Sequence, residues 1–132
     1  MNFCRYILLL FLLSSLPGIL RAQGGKVILM RHADRLEYDT SINSAQRLNG
    51  NVEFQHGAVI MYCDSAWFFP KRNYLNAFGH VHVKQGDSLN LYGDSLRYDG
   101  NTRIAKLRGN IRMVEKDLRL ITDSIDFNVK KG

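Results

Sequence analysis

An aspartate followed by a serine recurs along this chain, and such pairs could in principle support nucleophilic chemistry. The pairs are Asp64-Ser65, Asp94-Ser95 and Asp123-Ser124. No nucleophile elbow or other ordered catalytic motif accompanies them. Because active sites are rarely triplicated, a pair that returns at a regular spacing indicates an architectural role. We therefore expect no catalytic residues and no enzymatic activity.

Metal binding or thiol chemistry would have to use the four histidines or Cys63. His80 and His82 are expected to face opposite sides of one strand, which would keep them from chelating one ion together. His32 and His56 lie in other parts of the chain. Cys63 occupies the position of a glycine in the next repeat, which favours a buried small residue over a reactive thiol. The sequence thus predicts neither a metal site nor a cofactor.

These residues belong to a repeat that runs through most of the chain. The segments Ala33–Tyr62, Cys63–Tyr92 and Gly93–Thr122 align with one another, and a fourth copy begins at Asp123. Each copy also contains a glycine two residues before a β-branched residue, in Gly50-Asn51-Val52, Gly79-His80-Val81 and Gly109-Asn110-Ile111. A fixed period in this range indicates a stacked array in which no single unit buries its own apolar face.

Apolar and polar residues alternate within each repeat. Val81-His82-Val83, Leu89-Asn90-Leu91 and Ile111-Arg112-Met113 each place apolar groups on one face, as in a strand with one covered side. Turn residues separate these runs, and Asp99-Gly100-Asn101 is a strong hairpin signal. We therefore predict an all-β, antiparallel fold with about three short strands in each unit.

The alternation changes parity once in each unit, at the recurring aspartate. Leu91 and Gly93 share one face, but the next inward residues are Leu96 and Tyr98, so one extra residue has been inserted. Such an insertion predicts a bulge or corner where the strand turns onto a second wall. The aspartate carboxylate is expected to bond backbone N–H groups at that corner, and the repeated glycine marks a second bend.

The aligned repeats place apolar side chains in columns along one inner surface. The predicted lining residues are Leu36, Tyr38, Val52, Phe54, Met61, Phe68, Val81, Val83, Leu91, Leu96, Tyr98, Ile111, Met113 and Leu120. The pattern alone leaves two alternatives, an apolar trough that holds a ligand and a closed, dry core. Trp67 stands where polar residues stand in the other copies, so we expect it to be exposed as a candidate partner contact.

The first 22 residues have the form of a cleaved secretory signal peptide. Arg5 precedes the apolar run Tyr6–Leu13, and Leu20-Arg21-Ala22 offers a small residue at a cleavage point. The apolar run is short for a membrane span, which needs about 20 residues. We therefore expect residues 1–22 to be an export signal and residues 23–132 to form one β domain.

Export would leave a mildly basic domain without a disulfide. The signal contains two basic residues and no acidic ones, so its removal lowers the net charge from +6 to +4. Cys63 is then the one remaining cysteine, which excludes an intramolecular disulfide. The basic residues are spread along the chain without a block of like charge, so no nucleic-acid-binding arm is indicated.

The repeated motifs resemble the OstA-like, or LptA-like, family of periplasmic lipopolysaccharide-transport proteins. The resemblance is carried by Gly93–Tyr98 and Ala105–Ile111, with weaker copies at 34–54 and 64–83. It implies an antiparallel β-jelly-roll shaped like a folded taco, whose apolar trough holds the acyl chains of lipopolysaccharide. It also implies a periplasmic location and end-to-end stacking, through strand edges, on related domains of an inner-membrane partner and the outer-membrane barrel, or on copies of the chain itself.

Two other functions are compatible with the sequence. One is a structural adaptor that joins OstA-like domains edge to edge without binding lipid. The other is an exported carbohydrate-binding array, for which Trp67 is the support. The leading hypothesis is a periplasmic lipid-carrier or bridge subunit.

Overall fold

Strands make up most of the described chain. The structure, a computed structural model, describes residues 27–41 and 44–129, and the predicted signal peptide lies outside them. The strands are β1 (Leu29–His32), β2 (Arg35–Asp39), β3 (Ala45–His56), β4 (Val59–Phe69), β5 (Tyr74–Gln85), β6 (Leu89–Asp99), β7 (Ile104–Glu115) and β8 (Leu118–Asn128). A 3₁₀ turn, Pro70–Arg72, joins β4 to β5. The predicted all-β class is confirmed.

The strands form one open antiparallel sheet with a meandering order. From β3 to β8 each strand pairs with the next along the chain, and β1 and β2 both pair with β3. β1 and β2 therefore act as one interrupted edge strand, and β8 is the other edge. Within the described residues, no helix has the length and apolar composition that a membrane crossing requires.

The prediction of about three short strands per unit is wrong. Strands β3 to β8 are 11 or 12 residues long, so a 30-residue unit contains two long strands instead. Each long strand continues through the predicted corner, where the pairing register shifts and then resumes. A bulge bends a strand without ending it, and a sequence pattern that changes parity cannot distinguish the two outcomes.

The sheet is folded over so that its two halves face each other. Through the successive strand pairings His56 lies level with Leu89, and Tyr98 is about nine residues further along β6. In a flat sheet the two side chains would therefore be roughly 30 Å apart along the strand direction. Their side chains are instead hydrogen-bonded at 2.5 Å. The rings of Phe54 and Phe68, which also come from opposite halves, have centroids 5.2 Å apart. The bulges therefore act as the corners of a folded sheet, as the parity change predicted.

The core lies between the two facing halves. One apolar cluster runs along the whole array from Ile28 to Val129. At one end of the array, the Ile28 backbone N–H donates to the side-chain oxygen of Asn73 at 2.8 Å, which joins the segment before β1 to the opposite half. The core thus extends through the described repeats as a continuous apolar layer.

Candidate functional site

The predicted lining residues form most of the interior between the facing halves. Eleven of the fourteen are buried, with exposures of 0 to 7%. They are Val52, Phe54, Met61, Phe68, Val81, Val83, Leu91, Leu96, Tyr98, Ile111 and Met113. Every repeat therefore contributes side chains to the same apolar layer.

The other three lining residues lie on the edge strands and are exposed. Leu36 is 40%, Tyr38 70% and Leu120 38% accessible. Leu36 pairs with the buried Leu48, and Leu120 pairs with the buried Met113, so both are on the inner face of the sheet. They are exposed because no further strand lies beyond them in the described part of the chain. Leu36 and Leu120 therefore lie on the predicted inner face but outside the buried layer.

The interior of this structure is closed by direct contact between its walls. Phe54 and Leu91 are 0% exposed, and Met61 is 1% exposed, which leaves water no access to their side chains. Of the two alternatives that the sequence left open, this conformation has the closed apolar core. The interior is accessible at its two ends, where Leu36 and Leu120 lie, and we call these ends the mouths.

A ladder of aspartates holds the corners of the folded sheet. The carboxylate of Asp64 accepts a hydrogen bond from His80 Nδ1 at 2.7 Å. Two further rungs repeat the contact with an amide donor, from Asn51 to Asp34 at 2.9 Å and from Asn110 to Asp94 at 2.7 Å. The sequence predicted the aspartates as acceptors, but these donors are side chains of the next strand rather than backbone N–H groups.

The glycine of each motif lies against that aspartate. Gly109 has φ +82°, and a Cβ placed on it would come within 2.6 Å of Asp94 Oδ2. Gly50 and Gly79 make the same approach to Asp34 and Asp64, at 2.5 Å. A side chain would therefore displace the carboxylate that fastens the corner, which is the physical reason that glycine recurs there.

His80 and His82 lie on the same, outer face of β5, so the prediction that they face opposite sides is wrong. Val81 between them is buried, and residues two apart in a strand share a face. His80 points to Asp64, whose hydrogen bond and negative charge raise the pKa of the imidazole above its usual 6.5. Among the described residues, no group of three or more potential ligands is arranged for a metal ion.

A stacked row crosses the outer face and was not recognised in the sequence. The ring of His82 stacks on Tyr92 with centroids 4.4 Å apart and on Tyr62 at 5.6 Å. The Arg112 guanidinium carbon lies 4.5 Å from the centre of the Tyr92 ring. These residues come from four successive strands in one register row. The repeat aligns Tyr62 with Tyr92 and His82 with Arg112, but it does not show that the two pairs interleave across successive hairpins.

Trp67 is half-buried, which differs from the predicted exposure. It lies on the outer face, and the guanidinium carbon of Arg47 lies 5.4 Å from the centre of its ring. The same register row continues through Asn76 to Arg97 and Lys106. Basic residues that are spread along the sequence are therefore brought together on one stripe of the outer surface.

Two buried groups have strongly raised pKa values. Burial raises the pKa of the Cys63 thiol to about 12, and the nearby Asp64 charge adds to the effect. Cys63 is 6% exposed, which confirms the predicted buried small residue. Burial likewise raises the pKa of the Tyr98 hydroxyl to about 12. Both groups are therefore neutral and structural at physiological pH.

Comparison with known proteins adds one family and a group of solved structures. Residues 25–132 match the family described as OstA-like protein. No curated protein sequence matches the chain. Among solved structures, 17 chains match. One of them is LptH, the LptA-homologous periplasmic component of the conserved lipopolysaccharide transport device from Pseudomonas aeruginosa. It is 15% identical with a TM-score of 0.67, and the match covers 76% of this chain and 75% of LptH. At that identity the similarity shows the fold alone.

Proposed function

The chain belongs to the OstA-like protein family, and from that membership we propose that it is a non-enzymatic periplasmic subunit of a lipopolysaccharide-transport bridge. In this proposal the domain of residues 23–132, exported by the signal at 1–22, holds lipid A acyl chains between its two walls. The observation that carries the proposal is the continuous apolar interior, which runs through every described repeat and ends at two accessible mouths.

Acyl chains would enter by replacing contacts between the walls. Burying apolar groups is worth about 0.8 kcal/mol per CH₂, so a chain that separates the walls gains its own burial while the wall side chains stay out of water. The corner bonds, such as Asp94 to Asn110, lie outside the apolar layer and need not break as the walls part. Leu36 and Leu120 supply the first apolar contacts because they are exposed at the mouths.

Movement of lipid along a bridge requires the mouths of neighbouring domains to meet. Among the described residues, β1/β2 and β8 have no strand paired beyond them, and edges of this kind recruit further strands. Edge-to-edge stacking on other OstA-like domains would therefore align one interior with the next. The sugars and phosphates of the lipid would remain outside the apolar layer, where basic side chains are available.

The structure offers a matched pair of variants to test lipid entry. Leu120 and Ile121 are neighbours on β8, but Leu120 faces the mouth and Ile121, at 83% exposure, faces outward. We expect L120E to weaken binding of lipid A to the purified chain, because it places a carboxylate at the mouth. I121E adds the same charge to the same strand and should bind lipid A as the unmodified chain does. Binding is measured by fluorescence with lipid A, and folding by circular dichroism.

Equal binding by L120E and the unmodified chain would contradict the mouth as the entry point. A failure of the unmodified chain to bind lipid A would contradict the proposal as a whole. Substitution of the fully buried Phe54 is less informative, because a charge in the closed core would unfold the protein.

The direct wall contact favours a second candidate, an adaptor that joins OstA-like domains without holding lipid. A core with 0% exposure at Phe54 and Leu91 needs no ligand to be complete. The adaptor predicts association with partner domains that is unaffected by L120E but is abolished by proline within Leu118–Phe127, since proline removes a backbone donor. Lipid A binding by the unmodified chain would exclude it.

A further inference from the structure

A polar contact lies inside the apolar layer between the two walls. The hydroxyl of Tyr98 and Nδ1 of His56 are hydrogen-bonded across this layer, and their rings meet edge to face with centroids 5.6 Å apart. Both side chains are 0% exposed. Among the described residues, Asn73 is the one other buried polar residue, and it lies in the connection between β4 and β5. The pair is thus a polar point in an interior that is otherwise lined by apolar groups.

The pair joins the walls along the side that lies opposite the corners. His56 is the last residue of β3 and Tyr98 the last but one of β6, so each lies at the end of its wall. The bond from Ile28 to Asn73 joins the two halves along the same side, and we call the side closed by these two bonds the seam. Because the strands are continuous at the corners, a lipid with its acyl chains between the walls must carry its head along the seam. The His56–Tyr98 bond therefore has to open as the lipid passes.

Opening the bond leaves the Tyr98 hydroxyl in apolar surroundings. Leu75 and Ala105 are paired with Tyr98 on the two neighbouring strands, and both are 0% exposed. Burial raises the pKa of the hydroxyl to about 12, so the group keeps its proton at physiological pH and needs an acceptor. A plain hydrocarbon chain offers no acceptor, and a buried polar group without a partner costs more than a hydrogen bond contributes.

A hydroxyl group on the acyl chain would replace the lost contact for both side chains. A hydroxyl donates one hydrogen bond and also accepts. It can therefore bridge the Tyr98 oxygen and His56 Nδ1, whichever of the two groups donates in the closed pair. Because the seam is where an acyl chain meets its head, the hydroxyl has to lie close to the head to reach the pair.

We propose that the His56–Tyr98 pair makes the interior selective for acyl chains that carry a hydroxyl group within a few carbons of the head, and that this hydroxyl bridges the two side chains. The inference rests on the proposed function, because it requires acyl chains between the walls, and it adds the chemical feature by which they are recognised. Tyr98 is then a specificity-determining residue, while the apolar lining residues supply the burial that holds the rest of the chain.

Two fatty acids that differ by one oxygen atom test this selectivity. The purified chain is titrated with decanoate and with 3-hydroxydecanoate, and binding is followed by displacement of the fluorescent fatty acid dansylaminoundecanoate. 9-Hydroxydecanoate carries the same hydroxyl far from the carboxylate head and serves as the positional control. Y98F removes only the phenolic oxygen of the pair, and Y92F removes the corresponding oxygen from the outer face. Circular dichroism checks that both variants are folded.

We expect 3-hydroxydecanoate to bind at least about tenfold more tightly than decanoate, because the plain chain leaves a buried hydroxyl unpaired. 9-Hydroxydecanoate should bind no more tightly than decanoate. Y98F should lose the preference, and it should bind decanoate more tightly than the unmodified chain does, since opening the seam no longer breaks a hydrogen bond. A variant that was merely destabilised would bind both acids more weakly by the same factor. Y92F should keep the full preference.

Equal binding of decanoate and 3-hydroxydecanoate by the unmodified chain would overturn the inference, as would a preference that survives in Y98F. Absence of binding of both acids up to about 1 mM, the weak end of specific affinity, would overturn it too. The proposed function is decided separately, by lipid A binding to the unmodified chain and by the L120E comparison. Equal binding of the two acids by a chain that binds lipid A would therefore refute the selectivity alone.

Discussion

His56 on β3 and Tyr98 on β6 are joined by a 2.5 Å hydrogen bond across the interior, and both side chains are 0% exposed. This bond links the two halves of the folded sheet within an otherwise apolar layer. A buried polar group that loses its partner costs more than the bond itself contributes. The pair therefore helps to fix which strands of the two walls face each other.

Removing the Tyr98 hydroxyl should destabilise the protein. We expect Y98F to lower the free energy of unfolding by about 1–3 kcal/mol, because the His56 ring loses this buried partner. Y92F removes a hydroxyl on the outer face and should change stability by less than about 0.5 kcal/mol. Urea denaturation of the three proteins measures the difference, and equal stability of Y98F and Y92F would contradict a structural role for the pair.

The corner glycines should be far less tolerant of alanine than a turn glycine. Gly86 has φ +57°, and a methyl group added there would meet nothing within 4 Å, so G86A should cost only the left-handed strain of about 1–2 kcal/mol. G109A adds a collision with Asp94 and should cost clearly more. Thermal or urea unfolding compares them, and similar losses would show that the aspartate contact is unimportant.

The collision can be isolated with a double-mutant cycle. D94A alone should be destabilising because Asn110 loses its acceptor. In the D94A background, however, G109A should cost less than in the unmodified chain, since the carboxylate that its methyl meets is gone. A coupling energy of about 1 kcal/mol or more between the two positions is expected. Strict additivity would contradict the proposed close contact between glycine and aspartate.

The His80–Asp64 rung should respond to pH in a defined direction. Because the pKa of His80 is raised in the folded state, its contribution to stability is fully present below the unfolded pKa of about 6.5 and is lost as the pH rises through the folded pKa. An NMR titration should find the His80 pKa above 6.5, and D64N should lower it. Since the pair is exposed, salt should reduce the shift.

H80N provides the control for that titration, because asparagine is the natural residue in the two other rungs. H80N should keep the hydrogen bond to Asp64 but remove this pH dependence of stability. A His80 pKa at or below 6.5, unaffected by D64N, would contradict the contact.

The Cys63 thiol should be unreactive in the folded protein. Burial raises its pKa to about 12, so the thiolate that reacts with a disulfide reagent is scarce at pH 8. In a C4S background, modification should become rapid only at urea concentrations that unfold the chain. Modification at the rate of a free thiol without denaturant would contradict the buried position.

The features that sequence reasoning predicted well were those expressed in every repeat. All-β structure, the inward face of the lining residues and the corner at each aspartate follow from alternation and from one inserted residue, which are local properties of the chain. The number of strands per unit could not be predicted in the same way, because a bulge and a turn interrupt the alternation of apolar and polar residues similarly.

The sequence by itself determined the repeat, the faces of its strands and the family to which its motifs point, because periodicity and residue type are written along the chain. Only the tertiary structure decided that the walls touch, that Leu36, Tyr38 and Leu120 are exposed at the mouths, and that His56 meets Tyr98 across the interior. Those properties depend on how far the sheet folds over and on which strands have neighbours. Both are set by contacts between residues distant in sequence, for which a single sequence carries no direct record.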